Sequence, residues 1–281
     1  MLSWVREAYF KTIDMDLMTR MGLSEIKVLD ENKKTNTVIV RADNARTRKP
    51  SDRRAVKKFL LPNGDSQAQA TSWAYFKHEV TFLQSLKHPN IVKMTAAVSC
   101  PRYLGIVMEC ATTDLHERLL HLAPERSSHI VFQLVDAVCF LHGKRVIHGD
   151  LKVDNVIYSP RAGIVKLCDF GHAQTIPEYT IQPQVWQSTK EYQPPEYNTP
   201  ELWHAFKMES YSLGILCFAV LMKKNPDTSI DYLAKIDKYA DDFEEQHIVF
   251  LKHLLTKSPV HRPTVAQISH TLVKPASTAQ Q

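Results

Sequence analysis

The chain has 281 residues, of which 44% are hydrophobic and 23% charged, enough to bury a substantial core, so disorder throughout is excluded. Its formal net charge of +5 makes the surface mildly basic, but the Arg/Lys-rich residues 41–58 contain no interleaved aromatics that could stack on bases. We therefore expect no nucleic-acid partner. The five scattered cysteines fit neither a disulfide framework nor a metal site, which indicates buried thiols in a reducing compartment.

The N-terminal residues 1–22 alternate apolar and charged side chains at roughly helical spacing, which predicts an amphipathic helix packed on its own domain. The longest apolar stretch, SYSLGILCFAVLM, is too short for a membrane span, and the N-terminus is too charged for a signal sequence. We expect an intracellular protein, in the cytoplasm or the nucleus, without membrane contact. The sequence does not predict an oligomeric state.

Residues 23–110 are predicted to form a small lobe rich in strands. Short β-branched runs and one stretch of helical periodicity predict, in order, strands at 25–29, 35–42 and 53–60, a helix at 71–90, and strands at 91–98 and 102–110. Residues 111–271 are predicted to be mostly helical, with helices at 127–144, 207–224 and 244–258. The polar residues 272–281 are predicted to form a frayed tail. The fold class is therefore α+β.

The most informative stretch is VIHGDLKVDNVIYSPRAGIVKLCDFG, residues 146–171. The stretch is predicted to form a strand, a turn and a pair of strands, with Asp150, Asn155 and Asp169 in turns at strand ends, where polar groups can converge. Phosphoryl transfer needs a carboxylate that orients the acceptor hydroxyl and oxygen ligands that hold magnesium against the phosphates. These three residues supply those ligand types.

This stretch resembles the eukaryotic protein kinase superfamily, and the resemblance extends over roughly residues 25–270. The run from His148 to Lys152, with Asn155, is similar to the catalytic loop, and Asp169-Phe170-Gly171 is similar to the magnesium-binding motif. The resemblance implies a two-lobed kinase-like fold with ATP and Mg²⁺ in the cleft between lobes. Asp150 would orient the acceptor, while Asn155 and Asp169 would hold the metal. Lys152 would steady the transferring phosphoryl, as in Ser/Thr kinases.

The resemblance also assigns the nucleotide contacts. Ala55-Val56-Lys57 is similar to the strand that carries the phosphate-binding lysine, and Glu79 stands where the family places the ion-pair partner of that lysine. Met108 would be the gatekeeper beside the adenine. The remaining implied contacts belong to the hinge, at Glu109 to Thr112 and including Ala111, and to the residues that sandwich the base, Ala55 and Ile157. Core packing explains these apolar residues equally well.

Downstream, Pro194-Pro195-Glu196 resembles the Ala-Pro-Glu motif of the family, and the arginine of His261-Arg262-Pro263 is the expected partner of Glu196. Thr189 falls where Ser/Thr kinases place a threonine that touches the catalytic aspartate. Glu209 stands at the start of the central helix, where the family usually has an aspartate that anchors the backbone. Whether Glu209 takes over that anchoring is left open.

Two departures from the family pattern stand out. No glycine occurs between Gly22 and Gly64, so the usual glycine-rich cradle for phosphates is missing, and Lys33 and Lys34 either compensate as point charges or form a solvated turn. Gly149 replaces the arginine that normally pairs with a phosphorylated activation loop. We therefore expect that the candidate loop phosphosites are not obligatory. These are Thr175, Thr180, Ser188 and Thr189.

The residues support three alternative functions. The first is an active Ser/Thr protein kinase acting on protein hydroxyls, and the second is a pseudokinase that serves as a binding or scaffold domain. The third is a small-molecule phosphotransferase of the aminoglycoside or choline kinase kind, which also uses His-Gly-Asp. The short chain and the glycine-free loop resemble compact viral kinases, and such a protein would act inside the host cell.

Overall fold

The computed structural model describes residues 22–32, 35–44, 52–111, 113–177 and 181–272. These residues form two compact units. The first comprises the residues up to Lys87 together with Val92–Cys110, and the second comprises His88–Ile91 and the chain from Ala111 onward. The sequence predictions for the N-terminal helix, for nearly all of the tail, and for Lys33, Lys34, Thr112 and Thr180 lie outside the described residues.

The first unit contains a five-stranded antiparallel sheet in the order β1-β2-β3-β5-β4. Its strands are β1 (Leu23–Asn32), β2 (Thr37–Asn44), β3 (Arg54–Leu60), β4 (Met94–Cys100) and β5 (Tyr103–Glu109). Side chains alternate between the two faces of a strand, and Val40, Val56 and Val107 are fully buried in a shared core cluster. The predicted strands are all present, with slightly different ends.

The helix of the first unit, α1 (Ser66–Ser85), begins and ends earlier than the predicted 71–90. It begins earlier because the Asp65 carboxylate accepts a hydrogen bond of 2.8 Å from the Ala68 backbone N–H and caps the helix. It ends where Leu86 takes an extended conformation, with φ −92° and ψ 110°, before the proline that the prediction used as the stop. The buried side of α1 includes one carboxylate, that of Glu79.

The second unit is mainly helical, which together with the strand-rich first unit confirms the predicted α+β fold class. Its helices are α2 (Leu115–Arg118), α3 (Pro124–Gly143), α4 (Ala205–Met222), α5 (Tyr232–Lys238), α6 (Glu245–Leu254) and α7 (Val265–Ile268). Its short strands are β6 (Thr113–Asp114), β7 (Val146–Ile147), β8 (Val156–Ser159), β9 (Ile164–Leu167) and β10 (Gln174–Thr175). They pair as β6-β8-β9 and as β10-β7. The helices predicted at 127–144, 207–224 and 244–258 correspond to α3, α4 and α6 with shifted ends.

Helix α4 is the centre of the second unit. By length and composition it could cross a membrane, but 78% of its residues are buried inside the unit, as in the core helix of a globular domain. It ends at Lys223, whose left-handed backbone, with φ 52°, directs the chain away from the helix axis. Because α4 lies in the core, polar side chains on it can reach the loops packed around it.

Candidate active site

In the first unit, strand β3 and helix α1 bring Lys57 and Glu79 together. Lys57 Nζ donates a hydrogen bond of 2.8 Å to Glu79 Oε2, and the two side chains are only 9% and 2% exposed. A buried charge without a partner is costly, so each residue stabilises the other in place. The pair holds the ammonium at a defined position on the sheet.

The other nucleotide contacts expected in this unit lie beside Lys57 on the sheet. Ala55 is opposite Met108 in the β3-β5 ladder, and both are buried. Glu109 ends β5, and its Oε1 accepts a hydrogen bond of 2.6 Å from the Lys93 backbone N–H. The remaining two expected contacts belong to the second unit, where Ala111 begins the chain segment and Ile157 lies half-buried on β8.

In the second unit, the Asp150 carboxylate is the centre of a polar cluster. Its Oδ1 accepts hydrogen bonds from the Thr189 hydroxyl at 2.8 Å and from the Thr189 backbone N–H at 3.0 Å. Its Oδ2 lies 2.8 Å from Lys152 Nζ and accepts a hydrogen bond of 3.1 Å from Asn155 Nδ2. Lys152 Nζ also donates to the Thr189 hydroxyl at 2.9 Å. The four residues therefore form one closed network.

The network keeps Asp150 ionised. Burial raises the pKa of this carboxyl, but the Lys152 ammonium and the hydrogen bonds from Lys152 and Thr189 outweigh burial, and the pKa is lowered below its ordinary value. An ionised carboxylate has about four acceptor directions, and all are used here. An incoming hydroxyl must replace one of these donors. Lys152 can release Oδ2 because its ammonium keeps a second partner in Thr189.

Asn155 and Asp169 carry the oxygen atoms suited to a magnesium ion. Asn155 Nδ2 donates to the Asp150 carbonyl at 2.8 Å as well as to its carboxylate, which leaves the amide Oδ1 for a cation. Asp169 has a left-handed backbone, with φ 62°, and its Oδ1 accepts a hydrogen bond of 3.2 Å from the Gly171 N–H. The described part of the chain has no cluster of three or more His, Cys, Asp or Glu suited to a metal.

Several contacts connect the Asp169 turn to residues 148–155, which are called the catalytic loop below because they resemble that loop of the family. The Cys168 N–H donates to the Asn155 carbonyl at 2.9 Å, and the Cys168 carbonyl lies 3.0 Å from His148 Nε2. The ring of His148 also packs on Phe170, with ring centroids 4.9 Å apart. These contacts fix the turn that carries Asp169 relative to the loop that carries Asn155.

Glu209, at the start of α4, anchors the backbone of the catalytic loop. Its Oε1 accepts hydrogen bonds from the His148 N–H at 2.7 Å and from the Gly149 N–H at 2.8 Å. Its Oε2 lies 2.9 Å from Nε2 of His142 on α3, and both side chains are buried. The question that the sequence left open is answered, because glutamate makes the backbone contacts here.

Gly149 adopts a conformation that few other residues tolerate. Its φ is +84°, in the left-handed region, and a Cβ atom at this position would lie 2.3 Å from the His172 carbonyl oxygen. An arginine in this position would require the loop or the His172 backbone to move. Gly149 is therefore the residue that fits this loop.

The predicted pair between Glu196 and Arg262 is present and buried. Arg262 Nη1 and Nη2 donate to the two carboxylate oxygens of Glu196 at 2.6 and 3.0 Å, and both side chains are at most 1% exposed. The guanidinium also lies over the ring of Tyr211, 4.7 Å from its centroid. The pair supports the segment between Thr189 and α4.

Sequence reasoning missed two residues that support the catalytic loop. His142 has no signal beyond its helical position, because its partner Glu209 is far away in the chain. The Tyr192 hydroxyl accepts a hydrogen bond of 3.2 Å from the Val153 N–H, and burial raises the pKa of this phenol. Tyr192 follows Thr189 closely in sequence, which is the one local signal that could have suggested it.

The sequence is similar to those of known protein kinases over most of its length. The family model described as protein kinase domain matches residues 38–273. The serine/threonine-protein kinase TIO of Arabidopsis thaliana is 30% identical over 238 residues, which cover 81% of this chain and 18% of the relative. Aurora kinase of Debaryomyces hansenii is 29% identical over 208 residues, covering 69% and 49%, respectively. Serine/threonine-protein kinase par-4 of Caenorhabditis briggsae is 27% identical, with 75% and 30% covered. The chain spans less than half the length of each of these relatives.

Proposed function

Because the chain belongs to the eukaryotic-type protein kinase family, we propose that it is an active Ser/Thr kinase that transfers the γ-phosphoryl of Mg-ATP to protein hydroxyls. The observation that carries this proposal is the closed network of Asp150, Lys152, Asn155 and Thr189. Together with Asp169, this network contains the proposed groups of the second unit that bind the acceptor hydroxyl, the phosphoryl group and the metal.

The roles follow from the chemistry of each group. The ionised Asp150 accepts the hydrogen bond of the substrate hydroxyl and directs its oxygen at the phosphorus. Lys152 would leave Asp150 Oδ2 for an oxygen of the phosphoryl group and balance the negative charge there, while Thr189 would keep its hydrogen bond to Oδ1. In the first unit, Lys57, held by Glu79, would contact the α- and β-phosphates of ATP. Charge balance and positioning are the main contributions of a protein to this reaction.

The metal and the adenine complete the proposed site. Asn155 and Asp169 would hold Mg²⁺, which supplies charge neutralisation on the phosphates when bound. In the first unit, Ala55, Met108 and the backbone of Glu109 are the proposed adenine contacts; in the second unit, they are Ile157 and the backbone of Ala111. The Lys57 ammonium, held by Glu79, fits the phosphates, and the Asn155 amide oxygen fits Mg²⁺.

The Ser/Thr class of acceptor is proposed from Lys152 and Thr189, whose contacts match the pattern expected of such kinases, and from the Ser/Thr kinases among the relatives. The test is phosphorylation of an equimolar set of Ser, Thr and Tyr peptides with labelled ATP, followed by phosphoamino-acid analysis. Label on Ser and Thr supports the proposal. Label confined to Tyr would contradict it.

A second candidate, a pseudokinase that binds partners without transferring phosphate, rests on the strand hairpin at the start of the chain. The hairpin sequence, residues 23–44, has no glycine, and Asn36, directly before β2, has a left-handed φ of 54°. Asn36 Nδ2 donates to the Leu60 carbonyl at 3.3 Å, and the Asn36 carbonyl accepts from the Leu60 N–H at 2.9 Å. A turn tied to β3 in this way differs from a glycine loop that closes over phosphates.

The small-molecule phosphotransferase alternative is disfavoured, because the matched family and the relatives are protein kinases.

We also propose that the protein acts in a reducing compartment of the cell, such as the cytoplasm or the nucleus. All five cysteines are free thiols, which supports that location. A fluorescent fusion in cells, compared with a secreted control, tests it.

A further inference from the structure

One side chain, that of Gln174, connects the catalytic-loop strand to the segment that carries Thr189. Gln174 lies on β10 and is paired with Ile147 of β7, one residue before His148. Its Nε2 donates a hydrogen bond to the Val185 carbonyl. Its Oε1 accepts a hydrogen bond of 3.2 Å from the Gln184 backbone N–H. The amide thus holds two consecutive residues of the segment by their backbone.

A short series of contacts connects the residues that Gln174 binds to Asp150. Trp186 follows Val185 and is 3% exposed in a core cluster with Ile147. Its Nε1 donates to the Ser188 hydroxyl at 3.1 Å, and the Ser188 carbonyl accepts a hydrogen bond of 2.9 Å from Gln193 Nε2. Thr189 comes next, with its two contacts to Asp150. Displacing residues 184–185 would therefore displace Thr189.

Apart from the contacts of Thr189 to the ionised Asp150 and to Lys152, the contacts in this series are neutral. They join amide, hydroxyl, indole and backbone groups, and the residue before Asp150 is Gly149 rather than an arginine that could bind a phosphate. Pro177 lies a few residues before this segment, and its carbonyl accepts a hydrogen bond of 3.2 Å from Arg145 Nη1. The Arg145 cation therefore also contacts backbone. A phosphate on the segment would have no role in making the contacts described.

We propose that Gln174 is a positioning residue that keeps the Thr189 segment against the catalytic loop without phosphorylation. This inference deepens the proposed function and rests on it for its catalytic consequence. Gln174 acts through Thr189 and does not touch the reacting atoms. In effect, its amide replaces the ion pair between a loop phosphate and an arginine that Gly149 rules out.

Hydrogen exchange of the unphosphorylated wild-type chain tests the positioning directly. The variants are Gln174→Ala, the isosteric Gln174→Glu, and Gln187→Ala as a matched control, since Gln187 is an exposed glutamine of the same segment. We expect faster exchange of the Gln184 and Thr189 amides in Gln174→Ala, by about 5- to 30-fold, as the loss of one or two hydrogen bonds allows. Gln187→Ala should match the wild type. Unchanged exchange in Gln174→Ala would overturn the proposal.

Gln174→Glu separates hydrogen bonding from packing. A carboxylate keeps the shape of the glutamine but cannot donate to the Val185 carbonyl, so the variant should expose the Thr189 amide nearly as much as Gln174→Ala does. Thr189 exchange in Gln174→Glu equal to that of the wild type would show that the hydrogen bond to Val185 is not needed and would also overturn the proposal. This readout does not require phosphate transfer.

Steady-state kinetics then give the catalytic consequence. We expect kcat/KM for a peptide substrate to fall about 5- to 30-fold in Gln174→Ala, with unchanged ATP affinity in a binding titration. An equal loss of ATP affinity would indicate general destabilisation and contradict a positioning role. If the wild type transfers no phosphate, the proposed function fails, and the exchange result still decides whether Gln174 holds the segment.

Discussion

The Gly149 backbone N–H donates a hydrogen bond of 2.8 Å to Oε1 of Glu209, and this contact attaches the catalytic loop to the central helix of the second unit. The same oxygen receives the His148 N–H, and the other carboxylate oxygen lies 2.9 Å from His142 Nε2. One buried carboxylate therefore satisfies three donors from two elements. The position of Asp150 depends on this arrangement.

Replacing Glu209 with Ala should lower the free energy of unfolding by about 3 kcal/mol or more, because two buried N–H groups lose charge-assisted hydrogen bonds. Glu209→Gln should cost less, because its amide oxygen can still accept from the backbone. Urea denaturation measures both, with the exposed Glu201→Ala as a control expected to stay within about 0.5 kcal/mol. A Glu209→Ala variant as stable as that control would refute the anchoring role.

Restoring a side chain at Gly149 should damage the loop. Gly149→Ala forces a Cβ against the His172 carbonyl at a left-handed φ, so we expect a stability loss of about 2 kcal/mol or more, accompanied by loss of phosphate transfer. Gly149→Arg should be at least as damaging. Gly143→Ala is the matched control, since nothing lies within 4 Å of its Cβ position. Gly149→Ala behaving like Gly143→Ala in thermal denaturation would contradict this reading.

Breaking the buried pair of Glu196 and Arg262 should destabilise the second unit strongly. Arg262→Ala leaves a buried carboxylate without its cation and should cost about 3 to 5 kcal/mol. Lys252→Ala removes an ion pair with Asp237 whose side chains are 46% and 64% exposed, and it should cost at most about 1 kcal/mol. Comparable losses in the two variants, measured by urea denaturation, would show that burial does not set the value of the pair.

Activity should not depend on phosphorylation of the activation segment. Hydrogen bonds with Gln174 already hold residues 184–185 of this segment, and Gly149 offers no cation to a phosphate. Protein treated with phosphatase, and shown by mass spectrometry to carry no phosphate, should transfer phosphate at the rate of untreated protein. Loss of transfer on dephosphorylation, with recovery after rephosphorylation of Thr175 or Ser188, would contradict the prediction.

Periodicity and motif order predicted the strands of the first unit, the main helices and the Lys57-Glu79 pair, because these depend on local pattern or on a fixed order along the chain. Helix α1 was misplaced because its first turn has no apolar stripe and begins at a polar cap, Asp65. The functional roles of the site residues stay predictions. So does any phosphate contact by Lys33 or Lys34, which lie outside the described residues.

The contacts that sequence reasoning missed join residues with no periodic relationship. His142 meets Glu209 across two helices, and Gln174 meets residues 184–185 across an irregular segment. Such hydrogen bonds are set by tertiary packing, which a single sequence does not show. Glutamine in a loop is also compatible with simple solvation, so Gln174 gave no signal of its own.

The most direct test of the central claim is incorporation of labelled phosphate from Mg-ATP into Ser/Thr substrates, compared between wild type, Asp150→Asn and Lys57→Met. Lys58→Met is the matched control, because Lys58 neighbours Lys57 on β3 and lies over the ring of Tyr103 instead. An active kinase predicts transfer by the wild type and by Lys58→Met, with a loss of at least about 100-fold in the other two variants. Equal background in all four proteins would contradict it and favour a pseudokinase.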